Sequence, residues 1–436
     1  MSLPVVAIVG RPNVGKSSLF NRFLKKKLAV VDAEAGVTRD RNYAICDWNG
    51  REFRLIDTGG MVPNTRDAME RAILDQSDFA INESDLVLLI VDVQVGLDHT
   101  DERLARLLMK SGKNCILIAN KVDDSSMEWE LYSLNRLGLG DALPISATVG
   151  LGVGDVLDEI VARLPEAVEE IDDGETIRVA LVGRPNVGKS SFINRLLGEQ
   201  RLIVSDQAGT TRDAVDTPFE LDGKSYVLVD TAGLRRRYKV QENIEFYTNL
   251  RADRAIDACH VAVVLVDAVD GFTSQDQRVL AQVMETRRPA VLAINKWDLI
   301  EKDTYTADKF SEEIKESLAK YAFVPLIYIS ALTGKRLAKV MELVQLVHAE
   351  HNKRIPTSQL NDLLQKAFGR RKPPAKQGKY IQFNYVTQTE VAPPTFIFFS
   401  NRPQMVDKSY LNYLANQLRA EFGFHGSPIR LKCRRK

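Results

Sequence analysis

The chain has 436 residues, 44% of them hydrophobic and 27% charged, which is enough for two or three globular domains that each bury a core. Its formal net charge is +1, and its longest apolar runs fall far short of the roughly 20 residues that a membrane-spanning helix needs. The four cysteines form no CxxC pair, which excludes a zinc ribbon and a disulfide framework. Because the N-terminal segment also lacks a signal-peptide pattern, we expect a cytoplasmic protein.

The first predicted elements are an apolar strand, Val5–Val9, and an apolar-periodic helix, Ser18–Leu24. The segment between them, Gly10–Ser17, has the form G-x-x-x-x-G-K-S. Between a strand and a helix, this pattern predicts a loop whose backbone N–H groups surround phosphates, helped by the helix dipole. Gly10 and Gly15 are expected to shape the loop, and Lys16 is expected to contact the β- and γ-phosphates. The Ser17 hydroxyl is expected to bind Mg²⁺.

A second motif, Asp57-Thr58-Gly59-Gly60, directly follows the apolar run Phe53–Ile56. An aspartate at a strand end is commonly only a turn former. The distance of 47 residues from the loop glycine recurs in the second half of the chain, which favours a functional role. We expect Asp57 to hold the magnesium shell and the Gly60 amide to meet the γ-phosphate.

The next strand-like runs are Leu86–Val91 and Cys115–Ala119, and the latter leads into Asn120-Lys121-Val122-Asp123. A carboxylate at Asp123 can accept hydrogen bonds from both N1–H and the exocyclic amine of guanine, a pairing that adenine cannot offer. Asn120 and Lys121 are expected to brace this loop, and the backbone of Ser146-Ala147 to meet the base oxygen. The motif therefore predicts guanine nucleotides, GTP and GDP, as ligands.

The whole arrangement occurs twice. The nine residues GRPNVGKSS recur 173 positions later, and the other motifs recur in the same order after an acidic linker, 166–175. This repetition predicts two GTPase domains, 1–165 and 176–352. The corresponding phosphate-loop, magnesium and base residues are Gly183, Gly188, Lys189, Ser190, Asp230, Gly233, Asn295, Lys296, Asp298, Ser330 and Ala331.

Within each copy, short apolar runs alternate with longer amphipathic stretches. This alternation predicts an α/β fold, with a mostly parallel sheet covered by helices on both faces. Ligands of such sheets bind at the carboxyl ends of the strands, where the motifs fall.

The last segment, 353–436, is basic, with 16 Lys or Arg against four Asp or Glu, a net charge of +12. Strand-like runs at Tyr380–Val386, Thr395–Ser400 and Ile429–Cys433, a basic loop at Gly369–Gly378 and a helix at Ser409–Phe422 predict a small α+β domain. A basic end on a chain that is otherwise acidic favours a polyanion such as RNA as its partner.

The two GRPNVGKSS loops, the G-x-T-R-D segments, D-T-x-G, N-K-x-D and the basic end resemble the tandem-GTPase family Der, or EngA, over nearly the whole chain. The resemblance implies a third domain of K-homology type and a role in maturation of the large ribosomal subunit, on rRNA. It also implies that Thr38 and Thr211 sense magnesium and the γ-phosphate and, with Lys16 and Lys189, act in catalysis. Thr210 competes with Thr211, but its counterpart in the first copy is Val37.

The sequence departs from Ras-like enzymes at a residue that serves hydrolysis. The position that carries a water-orienting glutamine in Ras-like enzymes is Met61 in one copy and Leu234 in the other. A partner could supply the missing group. Alternatively, Asn13 and Asn186 in the phosphate loops could hold K⁺, as in related cation-dependent GTPases, or simply be turn residues. The resemblance favours potassium.

Weaker patterns have ordinary explanations. His348 and His351, three apart on a predicted helix, fit a solvated helix face better than a metal site. Arg235-Arg236-Arg237 could contact RNA or be a mobile loop. Gly423–Gly426 matches the G-x-x-G clamp of K-homology domains, but it joins a helix to a strand rather than two helices. The alternative function is a GTPase that acts through a protein or membrane partner, for which no lipidation signal is present.

Overall fold

The computed structural model describes residues 3–24, 43–58, 66–123, 128–165, 176–198, 203–204, 216–230, 244–300, 314, 318–374 and 380–435. The chain divides into two compact units, Met1–Glu169 and Glu170–Lys436. The predicted linker, 166–175, lies outside the described residues, and the predicted third domain lies within the second unit.

The first unit contains a six-stranded sheet in the order β2-β3-β1-β4-β5-β6. Only β2 runs antiparallel to its neighbour. The strands are β1 (Val5–Val9), β2 (Tyr43–Trp48), β3 (Arg51–Asp57), β4 (Leu86–Asp92), β5 (Asn114–Asn120) and β6 (Leu143–Ile145). The helices are α1 (Lys16–Phe23), α2 (Arg66–Glu83), α3 (His99–Ser111), α4 (Glu128–Leu134) and α5 (Val153–Arg163).

Both faces of this sheet are buried, which explains why its central strands are apolar throughout. Val6 and Ile8 of β1 pack in one core with α1 and α5, whereas Ala7 and Val9 pack in another with α2 and α3. The predicted α/β fold with a mostly parallel sheet and helices on both faces is confirmed.

The second unit repeats this plan with seven strands, in the order β13-β12-β11-β7-β10-β9-β8. The strands are β7 (Ile177–Val182), β8 (Ile203–Val204), β9 (Thr217–Leu221), β10 (Lys224–Val229), β11 (Val261–Asp267), β12 (Ala290–Asn295) and β13 (Leu326–Tyr328). The helices are α6 (Lys189–Leu197), α7 (Ile244–Ala258), α8 (Ser274–Glu285) and α9 (Leu337–His351).

A smaller α+β part completes this unit, as predicted. It consists of α10 (Thr357–Arg370), β14 (Phe383–Glu390), β15 (Thr395–Ser400), α11 (Lys408–Phe422) and β16 (Arg430–Arg434). Strand β15 pairs antiparallel with β14 and parallel with β16. Two expectations need correction: helix α10 was not predicted and includes the start of the expected basic loop, and β14 lies three to four residues later than expected.

The α+β part is joined to the GTPase part through the segment after α11. The Ala290 N–H, at the start of β12, donates to the carbonyl of Gly426 at 2.9 Å, and the Gly426 N–H donates to the carbonyl of Phe323 at 2.7 Å. The Arg419 guanidinium lies 3.5 Å from the centroid of the Phe323 ring. Burial lowers the pKa of Arg419 to about 10. This end of β12 is therefore completed by residues from the end of the chain.

Candidate nucleotide-binding sites

The predicted phosphate loop of the first copy connects β1 to α1 at the carboxyl edge of the sheet. Two of its glycines are required by close approach to neighbouring groups. A Cβ atom on Gly10 would lie 2.5 Å from the carbonyl oxygen of Ile90, and one on Gly15, whose φ is +101°, would lie 2.1 Å from Nδ2 of Asn120. The loop is thus packed directly against the predicted base loop.

Lys16 and Lys189 start helices α1 and α6, so the first helix begins two residues before the predicted start at Ser18. The Lys16 ammonium donates to the carbonyls of Gly10 and Arg11, both at 2.8 Å. The Lys189 ammonium donates to Gly183 and Arg184 at 2.8 and 2.7 Å. Burial lowers the pKa of Lys16, against the opposing effect of Asp57 and Asp101, and lowers the pKa of Lys189 to about 8. An incoming phosphate would stabilise the charged form of either group.

The predicted magnesium residues differ between the copies. In the first, the Ser17 hydroxyl donates a 2.7 Å hydrogen bond to Asp57, the last residue of β3. In the second, Asp230 directly follows β10 with φ of +55°, and its N–H donates to Oδ1 of Asp216 at 3.1 Å. Ser190 lies in the first turn of α6. Thr38, Gly60, Thr211 and Gly233, with Met61, Leu234 and Arg235 to Arg237, lie outside the described residues.

Asn120 connects the phosphate loop to the predicted base loops. Its side chain donates to the carbonyl of Val14 at 2.7 Å and accepts from the Ala147 N–H at 3.0 Å. In the second copy Asn295 does the same, with Val187 at 2.7 Å and Ala331 at 2.8 Å. The three motifs of each site are therefore held together by one buried amide.

The polar groups of the residues next to each asparagine lie at the same carboxyl edge of the sheet. Lys121 and Lys296 have positive φ, and their ammonium groups form ion pairs with Asp92 and Asp267, the last residues of β4 and β11. The Ser146 hydroxyl donates to Asp123 at 2.6 Å. Asp123 and Asp298 are exposed, Ser330 is buried, and its hydroxyl accepts from the Thr333 N–H at 3.2 Å. The exposed carboxylates are thus available to a base.

Sequence reasoning missed an arginine in each copy that supports the base loop. Arg22 of α1 donates to the carbonyls of Ala147, at 3.0 Å, and of Thr148. Arg195 of α6 donates to the carbonyl of Thr333 at 3.3 Å. The available signal was the Asn-Arg pair that recurs at the same shift of 173 residues.

The weaker candidates outside the sheets serve packing. Gly423, with φ of +91°, ends α11, and the following Phe424 is buried with its N–H on the carboxylate of Glu350. The G-x-x-G match is therefore part of the junction with the GTPase part. His351 is buried with Nδ1 2.9 Å from the Ser427 hydroxyl, and burial lowers its pKa to about 3. This corrects the expected solvated helix face at His351, while His348 stacks on His260.

Comparison with known proteins agrees with this geometry. A family model described as a 50S ribosome-binding GTPase matches residues 5–121 and 178–296, and one described as the C-terminal KH-domain-like part of EngA bacterial GTPases matches 354–434. GTPase Der of Pelotomaculum thermopropionicum is 48% identical over all of this chain and 99% of its own length. The Der proteins of Caldanaerobacter subterraneus subsp. tengcongensis and Halothermothrix orenii are each 46% identical over all of this chain, and over 99% and 100% of their own lengths.

The chain belongs to the GTPase Der family. Membership confirms the predicted GTP binding and GTP hydrolysis, the two P-loop GTPase domains and the KH-like C-terminal part. The alternative of a GTPase that works through a membrane or protein partner is not favoured. Among the helices of the described residues, none combines the length and the apolar character that crossing a bilayer requires.

Proposed function

We propose that each of the two sites binds one guanine nucleotide with Mg²⁺ and hydrolyses GTP. The observation that carries the proposal is the Asn120 amide, bonded to the phosphate loop at 2.7 Å and to Ala147 at 3.0 Å, and its repetition at Asn295. A ligand that spans both loops, with phosphates at one end and a base at the other, fits this arrangement. Each nucleotide would therefore be held at both ends by loops that are hydrogen-bonded to each other.

The assignment of residues follows the loops. The residues of the phosphate loops, with the amides of Gly60 and Gly233, would bind the phosphates. Asp123 and Asp298, with the backbone that follows Ser146 and Ser330, would bind the base. For Mg²⁺, the hydroxyl of Ser17 and the carboxylate of Asp57 are hard oxygen donors 2.7 Å apart, which suits this ion. Thr38 and Thr211, with Ser190 and Asp230, would complete the magnesium ligands of the two sites. The ion would neutralise charge between the β- and γ-phosphates.

Base recognition is tested by replacing Asp123 or Asp298 with Asn in the full chain. Because the amide donates where the carboxylate accepted, each variant should exchange one guanine site for a xanthine site. Titration with a GDP analogue should give two sites in the wild type, one in each single variant and none in the double variant. A wild-type stoichiometry of one nucleotide would contradict the proposal.

We further propose that the C-terminal part contacts rRNA during assembly of the large ribosomal subunit. The 353–436 segment carries a net charge of +12. Arg430, Lys432 and Arg434 alternate along β16, so their side chains share one face of the sheet, in register with Thr395, Ile397 and Phe399. A row of cations at the spacing of alternate strand residues suits a phosphate backbone. The family model that matches the two GTPase domains, residues 5–121 and 178–296, is described as a 50S ribosome-binding GTPase, which supports a ribosomal partner for the chain.

The RNA contact is tested by the salt dependence of binding to ribosomal particles. Each phosphate contact should add about 0.7 to 0.9 to the slope of log affinity against log salt. Replacing Arg430, Lys432 and Arg434 with Gln should reduce the slope while GTP turnover persists. Replacing Lys366, which lies 3.4 Å from Glu421 on the helical side, is the matched control. An unchanged slope in the β16 variant would refute the assignment of this strand.

A further inference from the structure

A second pair of arginines lies inside the phosphate loops themselves. Arg11 and Arg184 are 173 residues apart, and their side chains are only 13% and 15% exposed. The Arg11 guanidinium donates to the carbonyl of Gly96 at 2.6 Å, and its Nε lies 3.1 Å from Asp101 as an ion pair without hydrogen-bond geometry. Arg184 donates through Nε to Asp276 at 2.8 Å.

Arg11 also pairs with Asp98 and Arg184 with Asp270, each at 3.4 Å. The buried carboxylates that receive these arginines, Asp101 and Asp276, are the ones fixed by helix starts. Asp101 and Asp276 are fully buried and occupy the third position of capping boxes on α3 and α8. Asp101 accepts the Asp98 N–H at 3.2 Å, and Asp276 accepts the Thr273 N–H at 3.0 Å. Hydrogen bonds at its own helix start thus fix each carboxylate, which gives the arginine a rigid anchor.

The connection that carries this anchor also reaches the base loop. In the first copy it runs from Asp92, which pairs with Lys121, to Asp101, which pairs with Arg11. In the second copy it runs from Asp267, which pairs with Lys296, to Asp276. A single connection in each copy therefore contacts both halves of the nucleotide site.

The backbone of the same arginines faces the phosphate lysines. The carbonyl of Arg11 accepts from Lys16 at 2.8 Å, and that of Arg184 accepts from Lys189 at 2.7 Å. A residue whose side chain is anchored to a helix start thus presents one of the two backbone acceptors that orient the lysine. Loss of the side-chain anchor would leave the position of this carbonyl less restricted.

We propose that Arg11 and Arg184 are positioning residues of the two phosphate sites, which act by tying the phosphate loop to the connection that also holds the base loop. The inference rests on the proposed function and deepens it. Its specific consequence is that the arginine supports binding of the phosphates and leaves binding of the base largely unaffected.

The test measures two ligands that differ only in phosphates. In a chain carrying Asp298→Asn, guanine ligands report the first site. Arg11→Gln should weaken GDP between about ten- and a hundredfold, as expected for a slightly misplaced binding group, and should leave guanosine affinity within about twofold. Arg106→Gln is the matched control, because Arg106 is an exposed arginine on α3 paired with Glu102, and it should change neither affinity.

Two further variants keep the outcome readable. Arg11→Lys preserves the positive charge beside Asp101 and should give an intermediate loss of GDP, since lysine lacks the planar fork. Adding Asp101→Asn to Arg11→Gln should cost little more, because the two act as one unit. Thermal unfolding of each variant without nucleotide identifies any variant that fails to fold. If Arg11→Gln fails to fold, the GDP and guanosine affinities of Arg11→Lys test the inference.

Two results overturn the inference: an unchanged GDP affinity, or equal losses for GDP and guanosine, which would mark a merely structural role. The proposed function fails separately. If Asp298→Asn does not remove one guanine site, the base assignment is wrong. The affinities for GDP and guanosine are then compared in a chain that keeps Asp298 and carries Arg11→Gln and Arg184→Gln together.

Discussion

The indole of Trp297 packs against the ring of Tyr328 in a tilted arrangement, with centroids 4.1 Å apart and planes inclined by 35°. Trp297 lies inside the second base loop, and Tyr328 ends strand β13, two residues before the serine of the other base segment. The first copy has Val122 and Pro144 at these positions. The second base loop is therefore stiffened by an aromatic pair that the first copy cannot form.

Replacing Trp297 with Val, the residue of the first copy, should accelerate GDP release from the second site. An aromatic pair is worth about 0.5 to 1.5 kcal/mol beyond its burial, so release should quicken by roughly two- to tenfold. Stopped-flow release of a fluorescent GDP analogue, in a chain with Asp123→Asn, measures the second site alone. The exposed Tyr380, replaced by Ala, is the control, and equal release rates for Trp297→Val and the wild type would contradict the prediction.

Replacing Gly15 with Ala should abolish nucleotide binding at the first site, because the new Cβ would overlap Nδ2 of Asn120. Gly50 is a matched control: it also has positive φ, +78°, but a Cβ there meets nothing within 4 Å. Gly50→Ala should cost only about 1 to 2 kcal/mol of stability, the strain of the left-handed backbone, and should keep binding. Titration and thermal unfolding of both variants separate the clash from the strain.

Affinity of the second site for GDP should fall as pH rises from 8 to 9. Burial lowers the pKa of Lys189 to about 8 in the free site, and bound phosphate raises it. Below pH 8 the lysine is charged in both states, whereas above it binding takes up a proton, so affinity falls by up to about tenfold per pH unit. Calorimetry in two buffers should detect this uptake. Lys189→Arg, which stays protonated, should show no such dependence.

Hydrolysis should be faster in K⁺ than in Na⁺ at equal ionic strength, through Asn13 and Asn186. Both asparagines have φ near +65°, a conformation that asparagine tolerates as a turn residue, so the backbone alone could explain their presence. Replacing both with Gly keeps that backbone and removes the amides. The double variant should bind GTP but lose potassium stimulation. Retained stimulation in the glycine variant would show that the asparagines serve only the turn.

The phosphate and base loops were predictable because short sequence motifs determine them. Strand β1 was predicted with its observed bounds, and Lys16 and Asn120 lie where the motifs placed them. Helix α10 was missed although Leu360, Leu364 and Ala367 have helical spacing, because Pro356 and the following basic run suggested a loop. Local sequence could have identified this helix.

Contacts between distant residues were beyond sequence reasoning. Arg11 meets Asp101 across 90 positions, and Ala290 meets Gly426 across 136. The sequence context of Gly426, a helix followed by a strand, argued against a nucleic-acid clamp, but it did not reveal that this backbone completes the start of strand β12.

The junction at Gly426 has a consequence for the order in which the chain acquires its structure during synthesis. Domains generally fold as units in the order in which they are made. Among the described residues, both cores of the first unit consist of side chains between Val6 and Leu164, so this unit can fold while the rest is being translated. The N–H of Ala290, the first residue of strand β12, donates to the carbonyl of Gly426, which lies much later in the chain. The backbone partner of this first residue of β12 therefore becomes available only after Gly426 has been synthesised, well after the strand itself.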